Sequence, residues 1–66
     1  MSRGLTILLP TYNEVDALPK VVNTLPLDTL RAAGWKPRIV VADGRSTDGT
    51  QQTAADLNLE LIVQGP

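Results

Sequence analysis

Sixty-six residues, seven acidic against six basic, carry no cysteine and no histidine, which excludes a disulfide framework, a thiolate nucleophile and the softer metal ligands. A formal charge of -1 argues against nucleic acid as a partner, and a chain this short buries only about 60% of the surface its unfolded form exposes. Met1-Ser2-Arg3-Gly4 precedes only a short apolar run before Pro10, too little for a signal-peptide core or a membrane span. The expected setting is reducing and cytoplasmic, and the expected partner is a small molecule.

Leu5-Thr6-Ile7-Leu8-Leu9 reads as a first strand, stopped by Pro10 and covered on both faces. A helix follows in which Leu18, Val21, Val22 and Leu25 recur at helical spacing as a core stripe, with Asp16 as N-cap and Pro19 in the first turn. Pro26 ends it near Leu25. A second, short helix starts at Pro26, contains Asp28 and the run Thr29 to Ala33, and leaves through a left-handed Gly34. Trp35 and Pro37 fill the connection, with Trp35 covering the end of the sheet or of a helix.

Arg38-Ile39-Val40-Val41-Ala42 reads as a second, buried strand that breaks off at Asp43-Gly44. A helix from about Thr47 to Asp56, capped by Ser46 or Asp48, and a third strand over Leu59 to Val63 complete the chain before Gln64-Gly65-Pro66. This β-α-β-α-β order implies an α/β fold, parallel pairing and right-handed crossovers, and hence half of a doubly wound, Rossmann-like sheet. Ligands of such sheets sit beyond the carboxyl ends of the strands. Here those ends are residues 10–14 and 43–47.

A carboxylate at the tip of the second strand is able to accept from the N–H edge of a uracil or guanine ring, and amides at the next helix start favour negative charge. The competing structural reading makes Asp43-Gly44 a simple turn dipeptide and Tyr12 a cover for the sheet edge. Its place after Pro10 favours Tyr12 as a stacking platform. Asn13 reads as a helix-entry residue, and Ser46, Asp48, Gly49 and Thr50 read as a helix start that presents the loop.

Taken together, Leu8-Leu9-Pro10-Thr11-Tyr12-Asn13-Glu14 and Val40-Val41-Ala42-Asp43-Gly44-Arg45-Ser46-Thr47-Asp48-Gly49-Thr50 resemble the start of family 2 glycosyltransferases. In that family an apolar strand precedes Pro-x-Tyr-Asn-Glu, and a second precedes Asp-Asp-Gly-Ser-Thr-Asp-Gly-Thr or a close variant. The likeness covers essentially the whole chain, and polyprenol-phosphate mannosyl- and glucosyltransferases are the nearest subgroup. It implies a GT-A fold that binds a UDP- or GDP-sugar and moves the hexose to an acceptor such as a polyprenyl phosphate or a glycan. It implies that Pro10, Thr11, Tyr12 and Glu14 line the base and ribose and that Asp43 contacts the base. A membrane-linked acceptor would place the complete enzyme at the cytoplasmic face of a membrane.

This sequence departs from the commonest family pattern at Gly44, where a second acid is frequent, and at Arg45, where glycine is frequent. Arg45 faces either a diphosphate or solvent and carries no role at this point. The family also implies a divalent cation, Mg or Mn, held on the diphosphate by an Asp-x-Asp motif after the third strand, with the catalytic base further on. The expectation is therefore an amino-terminal nucleotide-binding portion, inactive alone. The alternative is a non-catalytic nucleotide-binding or interaction module that self-associates or pairs through a sheet edge. A dinucleotide-binding Rossmann half is disfavoured, since no Gly-x-Gly-x-x-Gly follows the first strand.

Overall fold

A computed structural model describes residues 3–65; Met1, Ser2 and Pro66 lie outside the described residues. The elements are β1 (Arg3–Thr11), α1 (Ala17–Thr24), α2 (Leu27–Ala32), β2 (Trp35–Asp43), α3 (Thr50–Asp56) and β3 (Glu60–Val63). The strands form one parallel sheet in the order β1-β2-β3, with Leu9 opposite Val41 and Thr11 opposite Asp43 in the register. The chain is thus an α/β unit of β-α-α-β-α-β order, compatible with half of a Rossmann-like domain.

Strand β1 does not stop at Pro10. The Thr11 carbonyl accepts from the Gly44 amide at 2.8 Å, so odd-numbered main-chain groups of β1 face β2 and even-numbered ones face outward. Pro10 lies on the free edge, where its missing N–H costs the ladder nothing. The same logic explains why β2 begins at Trp35 and takes in Pro37, both expected in the connection. Gln64 donates to the Asp43 carbonyl at 2.8 Å, so odd-numbered groups of β2 face β3. Because β3 pairs only with Val40–Asp43, Pro37 confronts no neighbouring strand on that side.

Helix boundaries set by proline and glycine fall where the sequence places them. Leu25 is extended at ψ 133 ahead of Pro26, and Gly34 leaves α2 at φ 93. Asp16 occupies the N-cap of α1 without a side-chain bond, and the Leu18 amide donates instead to the Glu14 carbonyl at 2.8 Å. Helix α3 is the exception. It starts at Thr50 rather than Thr47, with a left-handed Gly49 (φ 96) in the N-cap position. Of the two expected caps, Asp48 does serve the helix start, its Oδ1 accepting from the Thr50 amide at 3.0 Å, whereas Ser46 Oγ is turned to Asn13 and Asp43.

Leu18 of α1, Val41 of β2 and Ala54 of α3 form the buried core, with Leu9, Val22 and Leu59 packed against it. Both crossovers therefore bring their helices to one face of the sheet, as right-handed connections along a 1-2-3 order require. Coverage of β1 on both faces is accordingly corrected: Leu5, Ile7 and Leu9 are half-buried toward the helices, whereas Leu8 on the other face is 59% exposed. Ile62 on that open face is 56% exposed. Val40, Val41 and Ala42 are all buried, as expected of the middle strand. Val21, expected in the core stripe, is exposed, because α1 turns only its Leu18 and Val22 side inward. At the far end of the sheet the Arg3 guanidinium lies 5.7 Å from the centre of the Trp35 ring, within cation-π range.

Candidate functional site

The two loops that follow β1 and β2 meet at the carboxyl end of the sheet and are sewn together. The Asn13 amide donates to Ser46 Oγ at 2.8 Å, Asn13 Oδ1 accepts from the Thr47 amide at 2.9 Å, the Glu14 amide donates to Thr50 Oγ1 at 2.9 Å, and the Val15 amide donates to Asp48 Oδ2 at 3.1 Å. Asn13 takes a left-handed conformation at φ 51, which asparagine tolerates better than most residues. The hydroxyls and carboxylate of residues 46–50 thus satisfy first-loop amides that β1 no longer pairs. Thr50, fully buried, also donates to Asp48 Oδ1. That hydrogen bond is the main reason the Asp48 carboxyl titrates below its ordinary value.

Asp43 is the hub of this clasp. It is 0% exposed. Its Oδ1 accepts from Thr11 Oγ1 at 2.7 Å and Ser46 Oγ at 2.6 Å, and its Oδ2 accepts from the Ser46 amide at 2.7 Å and Gln51 Nε2 at 2.9 Å. Burial pushes the carboxyl's pKa up, but these donors, the Ser46 hydroxyl and amide foremost, outweigh it and hold the group well below the usual carboxylate range. A carboxylate offers about four lone-pair sites, so the four donors saturate it. Gln51, half-buried on the first turn of α3, was not singled out by the sequence reading, and no local pattern marks it. Only the docking of α3 brings it to the strand tip.

Of the five residues expected at the site, Thr11 and Asp43 are buried and bonded to each other, while Pro10, Tyr12 and Glu14 are exposed around them. Tyr12 is 63% exposed and follows Thr11, the register partner of Asp43, at the same end of the sheet. A Cβ placed on Gly44 would stand 3.6 Å from Tyr12 Cδ1, an ordinary contact. Pro10, Thr11 and Glu14 also border a cavity of about 160 Å³ closed by Leu9, Ala17, Leu18 and Val21. Exposed Val21 is one of its walls. Among the described residues no group of three or more His, Cys, Asp or Glu gathers that would hold a metal ion. Among the described residues, too, no helix is long and apolar enough to cross a membrane.

Over 58 residues the chain is 38% identical to the glycosyltransferase AglJ of Haloferax volcanii. The match covers 88% of this chain and 17% of that protein, so the chain spans about a sixth of the length of its relative. A stretch of 58 out of 66 residues necessarily includes both loops. No protein-family model and no solved structure matches the chain.

Proposed function

We propose that these residues form the nucleotide-binding portion of a family 2 glycosyltransferase of GT-A fold, close to the polyprenol-phosphate mannosyl- and glucosyltransferases, which moves a hexose from a UDP- or GDP-sugar to an acceptor. The observation that carries the reading is the clasp itself: two strand tips at one end of a parallel sheet, bonded across residues 13–15 and 46–50, with an exposed aromatic and a cavity beside them. The similarity to a glycosyltransferase supports the reaction class. In this scheme Tyr12 stacks on the base, Pro10, Thr11 and Glu14 border the base and ribose, and Asp43 fixes the tips. A base N–H would bond to Asp43 in exchange for Gln51 Nε2, the donor on a half-buried side chain that is able to swing away.

The protein's own contribution at these residues is orientation: it holds the nucleotide so that the anomeric carbon meets the acceptor hydroxyl or phosphate. A divalent cation, where the complete enzyme uses one, would be held by residues other than these. A membrane-linked acceptor would set the enzyme at the cytoplasmic face of a membrane. The test is calorimetric titration of the full chain with UDP-glucose and GDP-mannose, repeated with Tyr12→Ala. Base stacking on an aromatic side chain contributes about 1–3 kcal/mol, so affinity is expected to fall about tenfold or more while the melting temperature stays put. An unchanged affinity removes Tyr12 from the site, and no binding of either nucleotide-sugar refutes the reading.

A further inference from the structure

Five described residues have positive φ: Gly34, Gly49, Asn13, Asn58 and Arg45. Four are of the two types that accept that region readily, and Arg45, at φ 68, is not. Its backbone has no latitude. The preceding amide, of Gly44, is bonded to the Thr11 carbonyl at 2.8 Å, and the following one, of Ser46, to Asp43 Oδ2 at 2.7 Å. Glycine or asparagine would suit the turn better, so the fold itself does not call for arginine there.

The other three arginines each have an intramolecular partner. Arg3 lies over Trp35, Arg31 is paired with Asp28 and Arg38 with Glu60. Arg45 is exposed and, among the described residues, makes no ion pair or side-chain hydrogen bond. The nearest carboxylate in sequence, Asp43, is buried and saturated by its four donors. A permanent cation is therefore carried, exposed, at a strained position one residue beyond Gly44, the residue beside which Tyr12 lies.

We propose that Arg45 is the anion contact of this site, its planar guanidinium taking the phosphate oxygens of the nucleotide whose base lies at Tyr12. The inference rests on the nucleotide-binding reading and deepens it. A forked donor matches two phosphate oxygens at once, which the point charge of lysine does not. Strain held at an exposed, ligandless cation is the pattern of a residue kept for binding rather than for folding.

The test compares uridine, UMP and UDP, and guanosine, GMP and GDP, as ligands of the full chain by calorimetry, for native protein, Arg45→Gly and Arg45→Lys. Arg45→Gly suits the backbone and leaves the fold intact, which thermal melting verifies. The expected result is a nucleoside affinity unchanged within about twofold, a diphosphate affinity reduced about tenfold or more in Arg45→Gly, and a partial recovery in Arg45→Lys. An equal loss for nucleoside and diphosphate, or no loss for either, overturns the role of Arg45 while leaving nucleotide binding in place. Failure of the native protein to bind any of the six ligands overturns the nucleotide reading and this one with it.

Discussion

Replacing Asp43 separates its contribution as a charge from its contribution as a hydrogen-bond hub. In Asp43→Ala all four donors lose their acceptor. Gln51 is half-buried and reorients toward water, but the Thr11 hydroxyl is buried and the Ser46 amide is held against the strand tip. Two donors left unsatisfied cost about 1–3 kcal/mol each, hence about 2–6 kcal/mol together. A core of this size rarely supplies more than about 3–5 kcal/mol, so the alanine variant is expected to lose most of its structure. Asp43→Asn is different. The amide oxygen, turned to the Oδ2 position, still accepts from the Ser46 amide and Gln51. The NH₂ then faces Thr11 Oγ1 and Ser46 Oγ, hydroxyls that rotate to accept. The surviving bonds weaken from charge-assisted to neutral, a loss of about 1 kcal/mol each, partly offset because no charge is buried. The expected cost is about 1–2 kcal/mol, read from urea unfolding followed by circular dichroism with an unchanged slope. An alanine variant within about 0.5 kcal/mol of the native protein, or one equal to the asparagine variant, would refute the hub.

Acid should act through the same carboxylate: its folded pKa lies below the ordinary 3.8, so its stabilisation is present above about pH 4 and lost as pH falls through the folded value. The acid limb of the melting temperature against pH is therefore steeper in native protein than in Asp43→Asn, and parallel limbs would contradict this. Leu18→Ala empties a site 2% exposed at the centre of the core, and the midpoint of denaturant unfolding should report a loss of about 2–5 kcal/mol. On the open sheet face, Ile62→Lys should leave stability within about 0.5 kcal/mol while lowering any self-association seen by sedimentation velocity. Identical sedimentation of both proteins at every concentration would show that this face does not self-associate.

Features fixed by covalent geometry were legible in the sequence. Pro26 forces Leu25 out of the helix and Gly34 supplies the left-handed exit, whatever the rest of the chain does. The alternation of strands and helices was legible too, and it alone brings residues 10–14 and 43–47 to one end of a parallel sheet. Features decided by neighbours were not. Whether Pro10 ends a strand depends on its lying at a free edge, and whether Pro37 belongs to one depends on how far β3 reaches. Helix α3 starts later than expected because the Ser46 and Thr50 hydroxyls accept from first-loop amides more than thirty residues away, and Asp48 divides its carboxylate between the Val15 amide and the Thr50 amide. The bond between Thr11 and Asp43 follows from strand register, and the reach of Gln51 follows from helix docking; neither leaves a trace in local pattern.

The one tryptophan and the one tyrosine among these sixty-six residues stand at opposite ends of the middle strand. Trp35 opens β2 and Tyr12 lies beside Gly44, the residue that follows its last. Eight steps along a strand at about 3.3 Å per residue separate the two ends by about 26 Å. Indole emission consequently monitors the foot of the sheet and phenol absorption its loop-bearing rim, so an optical titration distinguishes an event confined to the rim from a collapse of the whole sheet without any attached dye.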